Sequence, residues 1–184
     1  MKTSGNKHGA LMDSLPIAKY LDDTFDGLDI FPNGEESVQK AIEVNKILGG
    51  VVHAGISLIA PNMPSILDER GAEYFARTRE ARFGKALSQL RPATEEGVQK
   101  VLESMKIALT PVVDMLKADS AGPFFEGQTV SYADFVLVAF LGWFERVNFC
   151  VFEAVLAVGD GEVRTLWEAC QVWLCGRGSE EIWD

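Results

Sequence analysis

Val130-Ser131-Tyr132-Ala133-Asp134-Phe135 is the stretch that decides the fold. With Ser131 as a helix cap, its hydroxyl accepts from the backbone N–H of Asp134, and the Asp134 carboxylate reaches back to the N–H of Ser131. Val130 and Phe135 then flank the helix start as a hydrophobic staple. The run that follows, Phe135 to Phe144, is the most apolar of the chain, and Glu145 and Arg146 interrupt it. It is too short to cross a bilayer and suits a buried helix. A serine and an aspartate this close could also be catalytic, but neither histidine is near in sequence and the capping spacing accounts for both residues. Such a cap is typically worth ~1 kcal/mol.

Helix signals recur on both sides of this stretch. Ser14 to Phe25 opens on a capping serine, holds Pro16 in the first turn, and carries Ile17, Tyr20, Leu21 and Phe25 as one apolar stripe. After Pro32-Asn33-Gly34, Glu35 and Glu36 open a second helix that Val38, Ile42, Ile47, Val51 and Ile59 carry towards Pro61. Gly49-Gly50 in its middle predicts a bend or a close approach to a neighbour. The spacing predicts a third helix from Asp68 to about Leu90, a fourth from about Thr94 to Lys117 with a bend at Pro111, and shorter helices near Val151–Val158 and Glu162–Cys175. Gly159 and Gly176 are their stop signals. Ala10–Met12 is a lone strand candidate, so the reading is all-α.

Composition narrows the functional classes. Seventeen basic and 27 acidic side chains leave a formal charge of −10, which repels phosphate backbones and argues against nucleic acid. At 184 residues one domain buries roughly 70% of its unfolded surface without disulfides or a structural metal. Cys150, Cys170 and Cys175, an odd number set among apolar residues, read as buried thiols of a reducing, cytoplasmic compartment. The polar start, Met1 to Gly9, lacks the apolar core of a signal peptide.

Few residues carry chemistry by their pattern. Asp13-Ser14 at a helix start makes a small anion site, because free N–H groups and the positive end of the helix dipole converge there; simple capping by Ser14 is the competing account. His8 and His53 are single and lack carboxylate spacing, so no metal is expected. Arg77, Arg79 and Arg82 with Glu73 and Glu80 read as a solvated face, with Glu73–Arg77 spaced for an i,i+4 pair. Tyr74, Phe75 and Phe83 are candidates for lining an apolar substrate pocket, against core packing as the plainer role.

Asp13-Ser14-Leu15-Pro16-Ile17-Ala18-Lys19-Tyr20-Leu21 resembles the segment that ends the thioredoxin-like domain of cytosolic glutathione transferases, and Gly127 to Phe135 resembles that family's capping box and staple. Ala76 to Gly84 and Trp173 to Gly178 are similar to fungal members of the Fua or etherase type. The resemblance implies an all-α, C-terminal-type bundle over residues 29–184, preceded in 1–28 by the last helix of a thioredoxin-like domain. It implies that Asp13 and Ser14 hold the γ-glutamyl end of glutathione as co-substrate, that Ser131 and Asp134 are structural, and that the partner is a small apolar electrophile; it admits a homodimer and gives no role for a membrane. In the family, the catalytic Tyr, Ser or Cys and a cis-proline lie well ahead of the acid–serine pair. Only twelve residues precede Asp13 here, so no catalytic residue is assigned and the chain by itself is expected to be weak or inactive. Without a covering half the bundle exposes an apolar face, which keeps a non-catalytic interaction module open as an alternative.

Overall fold

The structure, a computed structural model, describes residues 10–27, 29–119 and 121–174. His8, Cys175 and the glycine stop at Gly176 lie outside these residues. Among the described residues seven α-helices run in order: α1 (Ser14–Thr24), α2 (Glu35–Ile59), α3 (Glu69–Phe83), α4 (Glu95–Ala118), α5 (Tyr132–Val147), α6 (Phe149–Leu156) and α7 (Glu162–Ala169). Short 3₁₀ segments at Ala60–Ile66, Leu87–Gln89 and Cys170–Trp173 join or finish them. Ala10–Met12 pairs with nothing regular, and among the described residues β pairing is confined to two isolated bridges in the turn before α5.

The core lies where α2, α4 and α5 meet and is closed below by α6 and α7. Val44, Leu48 and Val51 of α2, Met105, Leu109 and Val112 of α4, and Leu137, Leu141 and Phe144 of α5 are fully buried. Burying a side chain of this size is worth about 1.5–3 kcal/mol, so this triple contact carries most of the stability. Glu35–Ile66 is long and apolar enough to cross a membrane by length and composition. Its apolar face is spent on α4 and α5, as in the central helix of a bundle.

Local chemistry corrects four sequence expectations. Gly49 and Gly50 are exposed with open space beside them; the close approach is at Gly55, where a Cβ would fall on Met105. The third helix stops at Gly84, which adopts φ +69° and donates its N–H to Glu80 O at 2.8 Å, short of Leu90. Cys150 is exposed and Cys170 buried, both as free thiols, so only the latter behaves as a core residue. Ser14 is not the cap of α1; Asp13 is. Asn148, unremarked in the sequence, caps α6 through Cys150 N and Val151 N (3.1 and 3.3 Å) and donates to Leu58 O at 3.0 Å, tying α6 to the end of α2.

Candidate functional site

The start of α1 is built on an unusual backbone. Asp13 adopts φ +79° with ψ 141°, outside the left-handed helical well, a combination that side chains with a Cβ rarely occupy. This turns its carboxylate onto the Ser14 N–H at 2.9 Å, while Asp13 O receives the Ile17 N–H at 3.1 Å. Both residues are exposed. They open onto a cavity of about 170 Å³ that α2 completes with Ala41, Ile42 and Asn45, and α5 with Tyr132 and Val136. The lining is mixed, with a carboxylate, a hydroxyl, an amide and a phenol beside the apolar Leu15, Ala41, Ile42 and Val136. This arrangement can orient a small polar group. The anion-binding capacity of the helix start is reduced, because its first N–H is already satisfied by the Asp13 carboxylate.

The start of α5 uses the same residue types differently. Asp134 accepts the Ser131 N–H at 2.7 Å and the Ser131 hydroxyl at 2.8 Å on one oxygen, and the Phe125 N–H at 3.0 Å on the other. The capping box forms as expected, and both residues are fully buried. Burial pushes the Asp134 carboxyl above its ordinary range, against the lowering pull of these three bonds. Nearby, burial and the Asp134 charge push the Cys170 thiol up to about 12, so it stays protonated and is no nucleophile.

The remaining candidates lie elsewhere. Tyr74 is 61% exposed on α3, a helix that buries no residue, with Phe75 and Phe83 half-buried on the same helix. None of the three lines the cavity at Asp13–Ser14. Arg77 lies over the Tyr74 ring at 5.8 Å and Arg79 over Phe75 at 5.0 Å, so these aromatics pair with cations at the surface. His53 is exposed on α2, and among the described residues no three His, Cys, Asp or Glu side chains converge as a metal site. A larger cavity of about 570 Å³ beside the end of α1 carries Asp22, Asp23, Asp26, Asp29 and Glu35 with Lys19, which pairs with Glu35 at 3.7 Å, so its excess of acids disfavours carboxylate ligands.

One polar cluster had no sequence signal. Glu126, in the turn before α5, receives Lys40 of α2 at 2.9 Å and the Asn33 amide at 2.7 Å on the same oxygen. Lys40 also donates to Phe125 O at 2.9 Å. Only the folded chain brings these residues together, since 93 positions separate Asn33 from Glu126.

Comparison with known proteins matches this architecture. A family model described as glutathione S-transferase, C-terminal domain, covers residues 38–173. The chain is 42% identical over 179 residues to the glutathione S-transferase-like protein ustS of Aspergillus flavus, covering 95% of this chain and 65% of that protein. It therefore spans just under two thirds of that relative's length. A glutathione S-transferase of Ceriporiopsis subvermispora, solved in complex with glutathione, superposes with TM-score 0.72 and 26% identity over 86% of this chain and 64% of that one. The glutathione transferase GSTFuA2 of Phanerochaete chrysosporium shares the fold, with TM-score 0.71 and 22% identity over 89% of this chain and 66% of that one. By family model, curated relative and helical architecture together, this chain belongs to the glutathione S-transferase family and carries its C-terminal helical domain.

Proposed function

We propose that the chain serves glutathione-dependent conjugation or thioether chemistry on a small apolar electrophile, with Asp13 and Ser14 receiving the γ-glutamyl end of glutathione. The observation that carries this is the cavity that α1, α2 and α5 build around those two residues. A carboxylate beside a hydroxyl suits an α-amino acid end, whose ammonium pairs with Asp13 and whose carboxylate takes the Ser14 O–H. A thioredoxin-like domain covers Ile17, Leu21 and Phe25, which are 38, 47 and 64% exposed, and supplies the group that activates the sulfur. Residues 1–28 are the end of that domain in this reading, and the free thiols of Cys150 and Cys170 suit the cytoplasm.

Magnitudes set the expected affinity of the chain by itself. A charge-assisted hydrogen bond is worth ~1.5–3 kcal/mol and a helix start ~0.3–1, while millimolar binding needs about 4 kcal/mol net of the entropic cost of association. The Ser14 N–H already spent on Asp13 lowers the sum further. Calorimetric titration with glutathione should give a millimolar or weaker constant, and a chlorodinitrobenzene assay should show no conjugation. Joined to a thioredoxin-like domain, the chain should conjugate, and Ser14→Ala should raise KM for glutathione. Micromolar binding by the chain itself, or a joined protein indifferent to Ser14, would contradict the reading. The exposed stripe on α1 also supports a second reading, a non-catalytic interaction module, which predicts self-association in size-exclusion chromatography and no activity in the joined protein.

A further inference from the structure

Asn45 is an exposed residue in the middle of α2, one turn on from Ala41. Asparagine is a poorer helix former than alanine and recovers the difference where its side chain caps a helix or bonds to nearby backbone. Asn45 does neither, for among the described residues its carboxamide has no hydrogen-bond partner. It lines the cavity at Asp13 and Ser14 instead. The start of α1, α2 and α5 thus bring four polar side chains to one space of about 170 Å³, and Asp13 is the single charged residue among its lining. No cation stands beside it there. Lys46, next to Asn45 on α2, pairs with Glu43 at 3.4 Å, and Lys19 of α1 pairs with Glu35 at 3.7 Å.

An α-amino acid end carries one ammonium and one carboxylate. Asp13 answers the ammonium, so the carboxylate falls to neutral donors. The Ser14 N–H is already taken by Asp13 and Pro16 has none, which leaves the start of α1 short of donors. Tyr132 adds one O–H, on a ring packed against Phe31 with centroids 5.5 Å apart. Asn45 adds two N–H donors on one planar amide. We propose that Asn45 is the specificity-determining residue of this cavity. Its amide N–H groups hold the α-carboxylate of a ligand whose ammonium pairs with Asp13, so the site takes an intact α-amino acid end and discriminates against a plain amine. The identity of the ligand rests on the glutathione reading; the division of labour between Asp13 and Asn45 is the new claim.

Titrations of the labelled whole chain, followed through the Ser14 and Leu15 amide resonances, test it with two probes. One is glutathione; the other is γ-aminobutyryl-cysteinylglycine, which keeps the amine and lacks the α-carboxylate. The wild type should bind glutathione at least about tenfold more tightly than the amine probe. Asn45→Asp keeps the shape of an exposed side chain and replaces its donors by a second anion. It should weaken glutathione at least about tenfold and tighten the amine probe, inverting the preference, while Asn45→Ala should reduce the preference without inverting it. Free glutamate presents the same end: tighter binding of glutathione assigns the site to the tripeptide, equal binding assigns it to the amino acid end by itself, and both support the role of Asn45. A wild type that binds both probes alike, or an Asn45→Asp chain that binds glutathione as well as the wild type does, would overturn the assignment; with Ser14 still shifting, the glutathione reading would stand. Wild-type resonances that ignore glutathione, glutamate and the amine probe would overturn both.

Discussion

At the start of α5 a serine and an aspartate are wholly buried and saturated with hydrogen bonds, whereas at the start of α1 the same two residue types, in reverse order, stand at the surface. Asp134 holds three donors from two segments, and the turn before α5 depends on it. Asp13 holds the N–H of its own neighbour. Chemical identity is therefore a poor guide to role; what separates a scaffold pair from a binding pair is how many buried donors lose their partner if the carboxylate leaves.

The largest expected effect follows directly. Asp134→Ala orphans three donors in the core and should cost about 3 kcal/mol or more in urea unfolding, while Asp13→Ala should cost ~1 kcal/mol or less. Equal losses would erase the distinction. The same contrast of buried and open positions runs along α2. Gly55→Ala should cost about 1–3 kcal/mol by pushing on Met105, with partial rescue by Met105→Ala, whereas Gly49→Ala should stabilise by up to about 1 kcal/mol. Stabilisation by Gly55→Ala would show that α2 and α4 are less tightly packed than described.

A pH comparison sharpens the contrast on a smaller scale. Burial raises the Asp134 carboxyl, so the native state holds its proton more readily than the unfolded chain does. Its contribution to stability is fully present below the ordinary aspartate range and is lost as pH rises through the raised native value. Measured against Asp134→Asn, which cancels the other titrating groups, the wild type should gain relative stability as pH falls through the raised native value towards the ordinary aspartate range. A relative loss would mean that the hydrogen bonds outweigh burial and that the carboxyl is lowered.

The architecture was legible because helix starts, stops and apolar spacing are local signals. Ser131 and Asp134 sit three residues apart, and their box could be written down before any contact was known. The extent of α3 was overestimated because its apolar positions continue past Gly84, where a left-handed cap ends the helix whatever follows. The exposure of Cys150 is not legible in the sequence, because apolar neighbours do not fix which way a short helix turns its faces. At the candidate site, Asp13 and Ser14 could be singled out, but their division of labour could not: a positive φ at Asp13, invisible in residue type, gives the cap to the acid. Asn45, Tyr132 and the Glu126 cluster are beyond reach, since each owes its place to packing between segments distant along the chain.

The most direct measurement is a glutathione titration of the labelled chain followed through its backbone amide resonances. The account predicts that, at millimolar concentrations, Ser14, Leu15 and Asn45 shift together with one weak constant while Ser131 and Asp134 stay still, and that Ser14→Ala abolishes the shifts. Silence at the start of α1 under saturating ligand, or shifts centred on the start of α5, would contradict it.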